Sequence, residues 1–239
     1  MAEPFLSIVI PVYNEARRIR DTLERISHFK EMKPYSIELI VVDDGSRDQT
    51  VEIVSDFPGL RLVRNDRNHG KGFTVRHGAL EARGELLLFT DADLSAPIEE
   101  VDKLLSALQS SGADAAVGSR ALKRELIGIH QPWFRDMGGR FFNLLVRVFT
   151  GLKLHDTQCG FKLFRRSSTR TAFERMRVEG FGFDPELLFL IERGGGRVVE
   201  VPVRWNDNPA TKVRFFRDST RMVLDLIAIR WRSFMGKYR

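Results

Sequence analysis

Two carboxylates one residue apart, Asp91 and Asp93, follow the run Leu86-Leu87-Leu88-Phe89-Thr90. Alternate residues of an extended segment point the same way, so both carboxylates can reach one cation. Oxygen-only ligands select a hard ion, magnesium or manganese, which keeps water and substrate phosphates in its other positions. The competing use is mundane: loop aspartates capping the helix that Pro97 opens at Ile98. Asp-X-Asp alone is common, so the pair needs company before it marks a site. Three other turns supply that company: Pro11-Val12-Tyr13-Asn14-Glu15, Asp43-Asp44-Gly45-Ser46 and Gly70-Lys71-Gly72. Each is an ordinary turn or helix start when taken singly. The last lacks the third glycine of a dinucleotide fingerprint and is not a Walker loop.

Bringing these turns together takes a sheet. The unalternated run Leu86–Phe89 fits a strand buried on both faces. Strands are expected at Phe5–Val12, Ile37–Val42, Leu60–Arg64, Leu86–Phe89 and Ala113–Val117. Between them, helical patterns cover Ala16–Phe29, a stretch from Ser46 or Asp48 to Phe57, a stretch from Gly72 to Ala82, and Val101–Leu108. That alternation predicts an α/β fold with a doubly wound, mostly parallel sheet, which binds ligands at its strand carboxyl ends. Acidic or glycine-rich turns then follow strands one, two and four on a single edge. One nucleotide-sugar site explains them more economically than three coincidences.

Composition limits the alternatives. The 239 residues suffice for one sizeable core, and 43% hydrophobic with 29% charged residues is ordinary for a folded chain. The single cysteine, Cys159, excludes an internal disulfide framework and a cysteine-based zinc site, so a reducing compartment is expected. No basic-then-apolar signal segment opens the sequence and no run of about 18 apolar residues occurs, so no spanning helix is expected. The net charge of +6 sits at one end: from Lys212 onward there are eight Lys/Arg against two Asp, and the rest of the chain is balanced. A sequence pI of 9.7 raises nucleic-acid binding as a non-enzymatic alternative. No recognition helix or aromatic sheet motif supports it, and no nucleic-acid partner is expected.

Pro11-X-Tyr13-Asn14-Glu15, Val42-Asp43-Asp44-Gly45-Ser46, Asn68-X-Gly70-Lys71-Gly72, Asp91-Ala92-Asp93 and Gly118-Ser119-Arg120 occur in this order. The series resembles the inverting glycosyltransferases of family 2, which have a GT-A fold. Asp156-Thr157-Gln158-Cys159-Gly160-Phe161-Lys162 and Phe181-Gly182-Phe183-Asp184-Pro185-Glu186 look like the dolichyl/polyprenyl-phosphate sugar synthases, the β-glucosyltransferase branch more than the mannose branch. Departures are the absence of an N-terminal anchor, Ser95 where mannose-branch members often have glutamine, and Thr211-Lys212 in place of Ser-Lys.

The resemblance implies roles. Pro11, Tyr13, Glu15 and Asp43 would hold uridine, Asp43 accepting from base or ribose, with Asn14, Val41, Asp44, Lys71 and Ala92 in the same nucleotide-sugar site. Asp91 and Asp93 would bind the divalent cation (Mg2+ or Mn2+) that bridges the donor diphosphate, and Arg120 and Lys212 would sit over its phosphates. A divalent ion plus cations would neutralise the charge that builds on the departing diphosphate. Asp184 is the candidate acceptor-side residue, and a base only if the acceptor is a hydroxyl. A lipid phosphate is already largely ionised at neutral pH and needs none.

Two stretches suit a membrane surface, Trp133–Leu152 and Phe215–Met235, each with apolar residues at helical spacing and flanking arginines. Packing on the sheet or against a partner subunit are the other uses of such faces. The expected organisation is a GT-A domain over residues 1–212, comprising a nucleotide-sugar half (1–120) and an acceptor half (121–212), followed by a basic amphipathic helix over 213–239. The expected activity is transfer of glucose from UDP-glucose to a polyprenyl phosphate by a peripheral enzyme at the cytoplasmic face of an anionic membrane. The alternatives are a polyprenyl-phosphate mannose synthase using GDP-mannose and a family 2 enzyme acting on a lipid or polysaccharide hydroxyl.

Overall fold

The computed structural model describes residues 3–208 and 215–238. In chain order the elements are β1 (Leu6–Val12), α1 (Ile19–Glu31), β2 (Ile37–Asp43), α2 (Thr50–Ser55), β3 (Arg61–Arg64), α3 (Lys71–Glu81), β4 (Leu86–Thr90), α4 (Val101–Ser111) and β5 (Ala115–Ser119). There follow β6 (Ile127–Ile129), α5 (Trp133–Thr150), β7 (Phe161–Arg165), α6 (Arg166–Arg175), α7 (Phe183–Arg193), β8 (Val198–Pro202), β9 (Trp205–Asn206) and α8 (Phe215–Phe234). The expected alternation of strands and helices is present.

Seven strands form one sheet in the order β3-β2-β1-β4-β7-β5-β8, and β6 pairs with β9 in a small second sheet. The large sheet is parallel except for β7, which runs antiparallel between β4 and β5. Residues of 121–212 thus complete the sheet begun by 1–120. Within β4, alternation decides which core each side chain joins. Leu86 and Leu88 enter the layer with α1 and α4, while Leu87 and Phe89 enter the layer with α3, α6 and α7. Both faces are covered, which is why β4 reads as an unbroken apolar run.

The helices over Trp133–Leu152 and Phe215–Met235 form as α5 and α8. They pack together through a narrow stripe that includes Phe142 and Val146 of α5 and Leu226 and Ile229 of α8. Their outer faces are left apolar. On α5, Trp133, Met137, Phe141, Leu144 and Val148 are exposed; on α8, Leu224, Ile227, Trp231 and Phe234 are exposed. No helix among the described residues is long and apolar enough to cross a membrane.

Candidate active site

The carboxyl ends of β1, β2 and β4 open on one cleft of about 620 Å³. Pro11, Tyr13 and Glu15 from the β1 end, Asp44 from the β2 end, Lys71 from the start of α3, and Asp91, Ala92 and Asp93 from the β4 end all line it. Eight of the expected residues therefore meet at one place. Arg18, Asn68, Thr74, Phe181, Arg217 and Asp218 line it as well.

Asp91 emerges where β4 pairs with β7. Its backbone N–H donates to the Gly160 carbonyl at 3.2 Å, and its carboxylate lies against Gly160 so closely that a Cβ there would sit 1.9 Å from Oδ2. Gly160 exists to make room for Asp91. Lys71 Nζ lies 2.7 Å from Asp91 Oδ1. Burial pushes the Lys71 ammonium down, but Asp91 and Asp184 outweigh it and hold its pKa above the ordinary value. Asp93 Oδ1 accepts the Ser95 N–H at 3.0 Å, and Arg18 stands 3.8 Å from its other oxygen. Burial and the Asp91 charge raise the Asp93 pKa. A cation between the two carboxylates would relieve that repulsion. Among the described residues no group of three or more His, Cys, Asp or Glu side chains is placed to hold a metal. Two carboxylates with the remaining positions left to water and phosphate suit Mg2+ or Mn2+.

Asp44 and Asn14 hold the loops rather than offering free groups. Asp44 accepts the N–H groups of His69 at 3.0 Å and Gly70 at 2.8 Å and the Asn65 amide at 2.8 Å, which fixes the approach to Lys71. Gly70 has φ +110°, and a Cβ there would meet the Glu179 carbonyl oxygen at 2.5 Å, so only glycine makes this turn. Asn14 bridges the first two loops: its N–H donates to Ser46 Oγ at 2.8 Å and its side-chain oxygen accepts the Arg47 N–H at 2.7 Å. Asp43 is fully buried and accepts the Ser46 N–H at 3.2 Å, closing its own turn. Val41 is a buried strand residue beneath these loops. Neither Asp43, Val41 nor Asn14 is among the residues that line the cleft. Lys212 lies outside the described residues.

Arg120 is placed in a neighbouring cavity of about 110 Å³, not in the cleft. Asp156 grips it three times: from the backbone N–H at 3.0 Å and from the guanidinium at 2.7 and 2.8 Å. Burial raises the Asp156 pKa, but Arg120 overrides this and holds it below the ordinary carboxylate range. Arg124, Arg135, Arg140 and His130 share the cavity with Arg120. Its Asp136 is already paired with Arg124 at 3.0 Å and Arg140 at 3.2 Å. The cavity therefore keeps a surplus of cations, four arginines against Asp136 and Asp156.

Asp184 is buried at the start of α7, with Lys162 of β7 at 2.5 Å. Burial raises its pKa and the Lys162 and Lys71 charges lower it, the net shift being upward. Its carboxylate is spent on a fully buried ammonium that also donates to the Cys159 carbonyl at 2.5 Å. Asp184 thus belongs to a row of alternating charges, Asp91–Lys71–Asp184–Lys162, that runs inward from the cleft. Arg18 and Phe181 are not among the expected site residues; Arg18 follows Glu15 by three residues and pairs with its carboxylate, which is the signal that marks it.

The family model for glycosyl transferase family 2 matches residues 7–173. Dolichyl-phosphate beta-glucosyltransferase of Saccharomyces cerevisiae is 36% identical over 99% of this chain and 77% of its own length. The Drosophila melanogaster protein of the same name is 37% identical over 98% of this chain and 77% of its own. Among solved structures, glucosyl-3-phosphoglycerate synthase from Mycobacterium tuberculosis, crystallised with Mn2+, uridine diphosphate and glucosyl-3-phosphoglycerate, superposes with a TM-score of 0.69. It is 20% identical and the match covers 95% of this chain and 80% of that one, so it bears on the fold alone. The mostly parallel sheet with its helices is that of a GT-A enzyme. The chain belongs to glycosyl transferase family 2 and is a glycosyltransferase.

Proposed function

We propose that this glycosyltransferase moves glucose from UDP-glucose, with inversion, to the phosphate of a polyprenyl (dolichyl-type) lipid. The observation that carries this reading is the pairing of two unlike cavities: an acidic cleft headed by Asp91 and Asp93, and a cationic one around Arg120. The cleft suits a nucleoside diphosphate whose charge is carried by a divalent cation. When bound, that cation supplies Lewis-acid stabilisation of the departing diphosphate. Asp91 and Asp93 would hold it, Lys71 and Arg18 would stand beside the phosphates, and Pro11, Tyr13 and Glu15 would border the nucleoside. The cationic cavity suits an anionic acceptor.

An ionised lipid phosphate attacks without giving up a proton. That fits a site in which Asp184, a candidate base only for a hydroxyl acceptor, already serves Lys162. The relatives' names point to the same acceptor and the same sugar. The exposed apolar faces of α5 and α8, with Arg147 and Arg230 exposed on those helices, suit a peripheral seat on an anionic cytoplasmic leaflet.

A radiolabelled transfer assay tests the reading. Purified protein with polyprenyl phosphate is offered UDP-glucose, GDP-mannose or UDP-N-acetylglucosamine, each with Mn2+, Mg2+ or excess chelator. Label should enter the lipid phase from UDP-glucose with either metal and fall to background in chelator. Preferential transfer from GDP-mannose would replace the glucose reading with the mannose one, and full activity in chelator would remove the metal.

A further inference from the structure

Glu186 is fully buried on α7, two residues beyond Asp184, and among the described residues its hydrogen-bond and ion-pair partners lie outside the cleft lining. Its Oε2 accepts two backbone N–H groups, from Arg177 at 2.8 Å and Val178 at 2.7 Å. Its Oε1 accepts the Tyr238 hydroxyl and stands 3.6 Å from Arg232 Nη1. Tyr238 follows α8 and is only 2% exposed. One carboxylate therefore ties the end of α8 to the 177–182 loop.

The other side of that loop grips the start of α3. The Glu179 carbonyl accepts the N–H of Gly72 at 2.7 Å and of Phe73 at 3.2 Å. A Cβ on Gly72 would meet the Val178 carbonyl oxygen at 2.4 Å, so loop and helix start touch backbone to backbone. Lys71, in the same turn, reaches Asp91 and stacks 6.0 Å from the Phe181 ring of the loop. Farther along, Asp225 of α8 packs against Gly182, where a Cβ would lie 2.6 Å from its Oδ2. A continuous line of hydrogen bonds and close contacts thus runs from Tyr238 through Glu186 and the 177–182 loop to Lys71.

We propose that Glu186 is a positioning residue for the donor site, and that Tyr238 is the group through which the seating of α8 is transmitted to Lys71. Glu186 neutralises otherwise unpartnered loop N–H groups and so sets where the Glu179 carbonyl lies. That carbonyl sets the first turn of α3 and with it the Lys71 side chain. Tyr238 completes Glu186 only while α8 is docked. The same helix brings Arg217 and Asp218 to the cleft at its other end, so α8 meets the site directly there and through Glu186 and the 177–182 loop here. The link to donor affinity rests on the nucleoside-diphosphate reading of the cleft; the link to α3 does not.

The test uses the full chain with Tyr238→Phe and Glu186→Gln, and Arg193→Ala as a control. Arg193 bonds to Ser233 of α8 without touching Glu186, so its loss removes one contact of the helix and leaves the Tyr238–Glu186 bond in place. Two readouts are taken: amide hydrogen exchange at Gly72 and Phe73, and calorimetric affinity for UDP with Mn2+. Tyr238→Phe should speed exchange at both amides and weaken UDP by about 5-fold, the scale of modest through-structure coupling. Arg193→Ala should lower Tm at least as much with neither effect. Under turnover, the Tyr238→Phe loss should appear in KM for the donor, with kcat and acceptor KM held. Unchanged exchange at Gly72 and Phe73 in Tyr238→Phe, or equal acceleration in the control, overturns the proposal. Faster exchange in a protein whose wild type binds no UDP keeps the coupling and overturns the donor reading instead. If Glu186→Gln does not fold, Tyr238→Phe decides the matter alone.

Discussion

Lys71 Nζ sits 2.7 Å from Asp91 Oδ1, so the carboxylate that heads the cleft is already neutralised by a side chain of the protein. A divalent cation held by Asp91 and Asp93 would compete with that ammonium for Asp91, and Asp184, whose charge also acts on Lys71, would remain as a counterion. The donor diphosphate would offer the ammonium a second berth.

Two opposite effects should therefore follow from Lys71→Met. Mn2+ alone should bind more tightly, by several-fold, because its competitor is gone. UDP in saturating Mn2+ should bind more weakly, because the diphosphate loses a cation. Electron paramagnetic titration of free Mn2+ and calorimetry with UDP read the two separately. Weaker binding of Mn2+ in the variant would mean that Lys71 supports the metal site rather than competing for it.

Gly160→Ala should act on Asp91 without substituting any residue that lines the cleft. The added methyl would overlap the carboxylate, 1.9 Å from Oδ2, so Asp91 must rotate away. Mn2+-dependent UDP affinity and turnover should fall at least tenfold, while circular dichroism stays that of wild type. Wild-type UDP affinity in Gly160→Ala would show that Asp91 is not needed where it stands.

Asp184→Asn separates two acceptor classes. With a phosphate nucleophile, the rate should fall by less than ~10²-fold, below the usual range for loss of a general base. Stability should fall by about 3 kcal/mol, because Lys162 is left buried without its countercharge. A rate loss near ~10⁴-fold, with the acidic limb of the pH profile abolished, would assign Asp184 as a base and the acceptor as a hydroxyl.

Replacing Trp133, Phe141, Trp231 and Phe234 with serine should free the protein from anionic vesicles. These rings are exposed, two on α5 and two on α8, and each contributes on the order of 1 kcal/mol or more when buried in an interface. Vesicle sedimentation should show at least a tenfold loss of partitioning, with activity on a short-chain, water-soluble acceptor retained. Retained partitioning would assign the two faces to a protein partner.

Much of this architecture was legible because the signals are local. The run Leu86–Phe89 spells a doubly covered strand, and the turns after β1, β2 and β4 carry the side chains that line the cleft. The stretch Phe161–Arg165 is not among the expected strands; its place between β4 and β5 depends on pairing with residues far away in the chain. The expected role of Arg120 comes from the resemblance and its Gly118-Ser119-Arg120 turn, neither of which announces the partner that holds it. Its carboxylate, Asp156, is 36 residues on. Asp44 and Asn14 illustrate the converse: short polar side chains at turns hydrogen-bond the backbone around them, and their residue types alone do not distinguish that use from ligand binding.

The most direct measurement of the central claim is paired transfer from UDP-[14C]glucose to polyprenyl phosphate and to the corresponding polyprenol, with Mn2+, using wild type and Asp93→Asn. Wild type should place label in the lipid phase with the phosphate and leave the alcohol untouched, the product should be the β-anomer, and Asp93→Asn should give background counts with both. Transfer to the alcohol in preference to the phosphate, or wild-type turnover by Asp93→Asn, would contradict it.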